Sequence, residues 1–195
     1  MIRLKKILFT IGVIVALLPL TSCNYNQLVE KQQNVEQSWA QVENQYQRRA
    51  DLIPNLVNTV KGYSSHESET FEKVTLARAK ATSITIDADN LTEENLAKFQ
   101  AAQNELSQAL KSLLAVTEAY PALKANENFM NLQTQLEGTE HRIATERMRY
   151  TEAVKDYNTA IKKFPTVIYA GWFGFESKPQ FKAEEGAQRA PEVQF

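Results

Sequence analysis

Side chains able to act as nucleophiles or soft metal ligands are scarce in this 195-residue chain: one cysteine, Cys23, and two histidines, His66 and His141. A four-ligand Cys/His zinc site would consume all three and still need a carboxylate, and a lone cysteine builds no disulfide framework. A carboxylate-bridged di-iron centre in a helical protein needs Glu-x-x-His pairs, because residues three apart share a helix face. Gly138 stands three residues before His141 and Tyr63 three before His66, so neither pair is present. Ser65-His66-Glu67 contains the residue types of a hydrolytic triad, yet sequence neighbours cannot form the relay with one another and no third partner is indicated. That string is expected to be a capping turn at a helix start. No glycine-rich phosphate loop occurs. The expectation is a protein with no catalytic residue, no metal and no cofactor.

Cys23 has a different chemistry in prospect. Arg3, Lys5 and Lys6 precede an apolar run from Ile7 to Leu18, and Leu20-Thr21-Ser22-Cys23 follows. A basic start and a short apolar stretch form a secretion signal, whereas a helix spanning a hydrocarbon core of roughly 30 Å needs about 20 apolar residues. An aliphatic residue and two small residues before a cysteine resemble the bacterial lipobox, in which the thiol is the nucleophile that takes a diacylglyceryl group. Residues 1–22 are therefore expected to be a signal peptide, and Cys23 the lipidated first residue of the mature chain. Removing the signal leaves 19 basic against 23 acidic residues, a charge of -4. Asn24 follows the cysteine, so the aspartate-based inner-membrane retention rule of enteric lipoproteins does not apply. The whole chain carries 22 basic and 23 acidic residues, which provides no global basic field for nucleic acid.

The elements behind these residues are helical. Six glycines, six prolines and abundant Ala, Leu, Gln, Glu and Lys favour an all-α protein. Leu28, Val35, Trp39, Val42, Tyr46, Ala50, Ile53, Val57 and Val60 are spaced by threes and fours, predicting a first helix from Tyr25 to about Ser64. Pro54 lies within it and should kink it. A second helix buries Phe71, Val74, Ala77 or Arg78, Ala81 and Ile84; a loop follows over 85–90. Thr92 caps a third helix running to about Ala119, with Leu96, Phe99, Leu106, Leu110, Leu113 and Leu114 inward, and Tyr120-Pro121 ends it. The longest stripe runs from Phe129 through Leu136, Ile143, Tyr150 and Tyr157 to Phe164, about 35 residues closed by Pro165. Four such helices with short connections predict an elongated antiparallel up-and-down four-helix bundle over residues 23–165, its first and last helices long, each reaching roughly 50 Å at 1.5 Å per residue.

Polar residues interrupt two of the stripes. Arg48, Arg49 and Asp51 on the first helix and Glu140, Glu146 and Arg147 on the last should meet across an antiparallel pairing as a structural ionic network. Gly138 suggests the close crossing of another helix. Beyond the bundle, residues 166–195 comprise an aromatic segment and an extended tail. Phe164, Val167, Ile168, Tyr169, Trp172, Phe173 and Phe175 follow Lys162 and Lys163 within a few residues. Such a segment either folds back onto the bundle core or meets a membrane interface or a partner protein.

Several strings extend the assignment. Tyr25-Asn26-Gln27-Leu28-Val29, Arg48-Arg49-Ala50-Asp51-Leu52-Ile53-Pro54-Asn55-Leu56-Val57, Tyr120-Pro121-Ala122-Leu123-Lys124-Ala125-Asn126 and Trp172-Phe173-Gly174-Phe175 resemble, in order, the LemA family of bacterial envelope proteins. The resemblance covers essentially the whole mature chain. It implies a membrane-tethered antiparallel helical bundle without established enzymatic activity. Many family members resemble single-span membrane proteins; here a lipobox occupies the place of the longer apolar helix. The resulting expectation is a lipid-anchored bundle outside the cytoplasm, a non-catalytic binding or scaffold module with envelope proteins as partners. The alternative is a membrane-remodelling protein that uses Lys162 to Phe175 at the bilayer surface.

Overall fold

A computed structural model describes the backbone of residues 2–64 and 66–182, and side chains from Tyr25 to Lys182 apart from Ser65 and Asp89. The Cys23 side chain and the tail over 183–195 lie outside the described residues. The described chain is all-helical, with α1 (Ile2–Lys61), α2 (Ser68–Ser83), α3 (Glu93–Thr117), α4 (Pro121–Lys124) and α5 (Glu127–Lys162). Short 3-10 turns occupy Ala88–Asn90, Thr166–Ile168 and Gly171–Phe173. Five helices appear where four stripes were expected, because Pro121 has a φ suited to a first helical position and starts the one-turn α4 between the two long elements. No helix among the described residues is long and apolar enough to cross a membrane.

Local chemistry fixes the ends. The Thr92 hydroxyl accepts from the Asn95 amide, and Asn126 does the same for Phe129, satisfying amides that a helix start leaves open. Ser64 does not cap α2; its hydroxyl donates to the Val60 carbonyl and closes α1, and Glu67 precedes α2 without a side-chain cap. α1 runs through Pro54 as one helix. Proline has no amide to give the carbonyl four residues earlier, that of Ala50. Arg78 of α2 supplies the missing donor, its Nε reaching the Ala50 oxygen at 2.7 Å.

Rising positions on α1 meet falling positions on α5. Trp39 packs edge-on to Tyr150 with centroids 5.4 Å apart, Arg49 pairs with Glu140 at 2.9 Å, and the Asn126 amide at the head of α5 donates to the Tyr63 hydroxyl beyond α1 at 2.9 Å. The two long helices are therefore antiparallel neighbours. α2 and α3 form a second antiparallel pair, with Lys80 salt-bridged to Glu105 and Gln103 donating to the Ala81 carbonyl. α2 covers only the half of the long helices distant from Tyr25, while the start of α3 reaches past it with Leu96 and Phe99. α2 ends near the level of Trp39, whose indole N–H donates to the Ile86 carbonyl at 3.0 Å in the loop that follows. On the near half, the chain after α5 takes over the covering: Tyr169, Ala170 and Phe175 are buried there, and Phe181 packs onto the same core.

Gly138 is not a crossing point. The only neighbour a Cβ would approach there is the Nη2 of Arg142 on the same helix, at 3.4 Å. Since glycine costs about 1 kcal/mol relative to alanine inside a helix, Gly138→Ala is expected to raise stability by roughly that amount. Urea unfolding followed by circular dichroism checks it; a lower midpoint would show that Arg142 cannot yield.

Candidate functional site

The sequence places a cation, Arg49, on the inner face of α1, and the structure buries it to 1% exposure. Its Nη1 donates to the Ser107 hydroxyl at 2.8 Å and to Glu140 at 2.9 Å, and its Nη2 reaches the Gln103 side-chain oxygen at 2.6 Å and the Gln103 carbonyl at 3.2 Å. The guanidinium also lies 5.1 Å from the centre of the Tyr46 ring. Three helices, α1, α3 and α5, thus converge on one charge. This level divides the core. One apolar cluster runs from Leu28 to Tyr46 on α1 with Leu96 and Phe99 of α3 and Ile143 to Ile161 on α5, and the other joins Ile53 to Val60 with α2, Leu106 to Leu113 of α3, Phe129 and Leu136. Between them lie Arg49, Gln103, Ser107, Thr139 and Glu140.

The other expected members of that network stand apart. Arg48 and Asp51 are exposed, and Asp51 accepts from Gln47 one turn earlier. Glu146 pairs with Arg149 along α5 at 2.8 Å. Arg147 lies over the Phe181 ring, 4.5 Å from its centre. A helix presents a limited stripe inward, and with Arg49 and Ala50 occupying it at this level Arg48 and Asp51 fall on the outer side. Gln103 and Ser107 were missed at the sequence level. A signal existed: Phe99, Gln103, Leu106, Leu110 and Leu113 step by four, three, four and three, so Gln103 is a polar residue on an otherwise apolar stripe. Beside this layer a groove of about 640 Å³ opens between α3 and α5, with Ser107, Lys111, Leu136 and Glu140 among its walls.

The aromatic segment sits at the opposite end from the α1–α2 turn. Its two 3-10 turns divide the side chains by direction: Thr166, Tyr169, Ala170 and Phe175 turn inward, whereas Phe164, Val167, Ile168, Trp172 and Phe173 are exposed. Gly174, at φ 78°, makes the reversal that lets the Phe175 amide reach the Ala170 carbonyl and buries the Phe175 ring. Phe173 and Phe175 pack edge-on to Tyr25, at 5.3 and 5.5 Å. From there the chain runs back along the bundle in extended form. Asn158 is bonded twice to Lys178, the Tyr150 hydroxyl donates to the Pro179 carbonyl at 2.8 Å, and Lys182 salt-bridges Glu93. Burial raises the pKa of Tyr150 well above the ordinary phenol value, so this donor stays neutral and keeps its proton.

A model of the LemA family matches residues 38–195. The chain belongs to the LemA family. It is 22% identical to Protein LemA of Metamycoplasma hominis over 147 residues, covering 75% of this chain and 60% of that protein. It is 26% identical to Magnetosome protein MamQ 2 of Paramagnetospirillum magneticum over 186 residues, covering 87% of this chain and 68% of that one. Magnetosome protein MamQ of Magnetospirillum gryphiswaldense is 24% identical over 185 residues, with 86% and 68% covered. The chain thus spans about three fifths of the first relative's length and about two thirds of the others'.

Both features of this LemA-family chain, the Arg49 layer and the aromatic end, fall within the matched span, which starts after Cys23. Among the described residues no three His, Cys, Asp or Glu side chains gather as a metal could require. The remaining shifted groups are explained by lysine partners or by burial: Lys73, Lys182 and Lys98 lower the pKa of the exposed Glu69, Glu93 and Glu94. Burial raises Tyr46 and Tyr157, and it raises Glu43 beside the Trp39 indole and the Ile86 amide, which partly offset it. What the chain presents is a braced helical rod with a groove of mixed polar and apolar lining between α3 and α5 and an apolar end.

Proposed function

We propose that the protein is a lipid-anchored module of the bacterial cell envelope, an elongated antiparallel four-helix bundle that binds or scaffolds envelope proteins without catalysis. The observation that carries this reading is Cys23: the chain's single cysteine closes a basic, then apolar, then small-residue leader, and Leu28, the first buried stripe residue of α1, follows five residues later. Family membership supports an envelope role. The bundle stands outside the cytoplasm, with acyl chains on Cys23 holding it to a membrane. Each buried methylene contributes about 0.8 kcal/mol, so two or more chains hold a domain of this size firmly. The Arg49 layer is structural in this scheme. It fixes how α1, α3 and α5 align and leaves the outer faces and the α3–α5 groove for partners.

Metabolic labelling with a fatty acid tests the anchor. The wild-type chain is expected to incorporate label and to fractionate with membranes, and Cys23→Ala to lose the label. Label retained by Cys23→Ala, or none in the wild type, refutes the anchored module.

A further inference from the structure

We propose that the end of the rod beside Tyr25 is a bilayer-seating face, on which Phe164, Val167, Ile168, Trp172 and Phe173 rest in the lipid interface; the inference takes its orientation from the anchored reading above. Among the described residues eleven large apolar side chains are exposed, and seven of them, these five with Tyr25 and Val29, gather at this one end. Scattered exposed apolar residues need no explanation, but a contiguous group does. Phe164 is 81% and Trp172 82% exposed, although the turns that carry them bury Tyr169 and Phe175 tightly. The segment therefore has the means to fold inward and presents these five side chains outward all the same.

The occupant follows from where the chain goes next. The apolar leader and Cys23 lie immediately before Tyr25 in the same helix, and Tyr25 touches Phe173. Whatever receives the N-terminal lipid lies within a few residues of this face. Lys162 and Lys163 end α5 at its margin, and Lys163 shares a groove with Lys31 beside Phe164. Asp156 lines that groove too, and Glu176 and Glu36 lie near Tyr157, so the lysines share this margin with acids and outnumber Asp156 two to one within the groove. Aromatic rings rimmed by lysines match the boundary between acyl chains and anionic headgroups.

The chain has two tryptophans, and Trp39 is enclosed in the core, so Trp172 can be read separately. The full-length protein, purified in detergent and reconstituted into phosphatidylcholine–phosphatidylglycerol vesicles, is compared with Trp172→Phe; the difference in emission reports Trp172 alone. Mass spectrometry of the same samples records acylation of Cys23. The expected result is that Trp172 emission shifts to the blue and loses most of its intensity when the lipids carry brominated acyl chains, while aqueous iodide has little effect. Lys162→Glu/Lys163→Glu should weaken the bromolipid quenching. Two results overturn the seating face: Trp172 open to iodide and indifferent to bromolipid, or Trp172 shielded from both, which means protein covers it. If either occurs with Cys23 acylated, the anchor stands and the face falls. Bromolipid quenching without acylation supports the face and removes the anchor.

Discussion

Arg49→Ala is expected to destabilise the protein by about 3–5 kcal/mol, the cost of breaking a buried, multiply bonded charge. The substitution removes a guanidinium bonded to Ser107, Glu140 and Gln103 and leaves the buried Gln103 oxygen without its donor. Glu140 suffers less, because nearly half of its side chain is open to the groove and water can replace the lost partner. The loss should appear as a lower urea midpoint by circular dichroism with an unchanged dependence on denaturant. Arg49→Met/Gln103→Leu separates charge from position. It fills the layer with apolar volume and is expected to recover most of the loss, since buried ionic groups seldom outperform well-packed hydrocarbon. Stability as low as that of Arg49→Ala would mean that the layer does more than satisfy its own charge.

Trp39→Ala should cost about 3–5 kcal/mol, the range for emptying a large aromatic site. Trp39 meets Phe99 and Tyr150 edge-on, both at 5.4 Å, and stacks on Phe181 at 6.1 Å. Its indole also holds the Ile86 carbonyl, so the loop between α2 and α3 loses its tie to α1. Trp39→Phe keeps most of the volume and isolates the hydrogen bond, with an expected cost of about 1–2 kcal/mol. Amide exchange localises the damage: in Trp39→Ala the amides around Ile86 and Lys178 should exchange faster than those of α2 and α3. Uniform acceleration along the chain would contradict a local role at the junction of the two halves.

Much of this was legible from spacing. All nine stripe positions assigned to the first helix are buried, and Phe71, Val74, Ala77 and Ala81 face inward on α2. On α5 the same rule gives Phe129, Leu136, Ile143, Tyr150 and Tyr157 correctly, but it overshoots at Phe164, which the end of the helix turns to solvent. Periodicity needs several turns of helix to show itself: Ile86, Leu91 and Phe181 lie outside helices and Leu123 sits in the one-turn α4, so none of these core residues belongs to a readable stripe. They are placed by tertiary contact and leave no local pattern. The same limit applies to polar partners. That Arg49 and Glu140 lie at matching depths follows from two antiparallel stripes, whereas the contribution of Gln103 and Ser107 depends on how α3 leans across them. Arg78 is the hardest case. Its role follows from a proline in another helix, and neither residue implies the other until both are in place.

The bond between Arg78 and the Ala50 carbonyl ties the continuity of α1 to assembly. Where Pro54 interrupts the ladder, α1 borrows its continuity from a neighbour. Opening α1 at that level and detaching Arg78 from it are therefore coupled, so a disturbance of either helix at this point reaches the other.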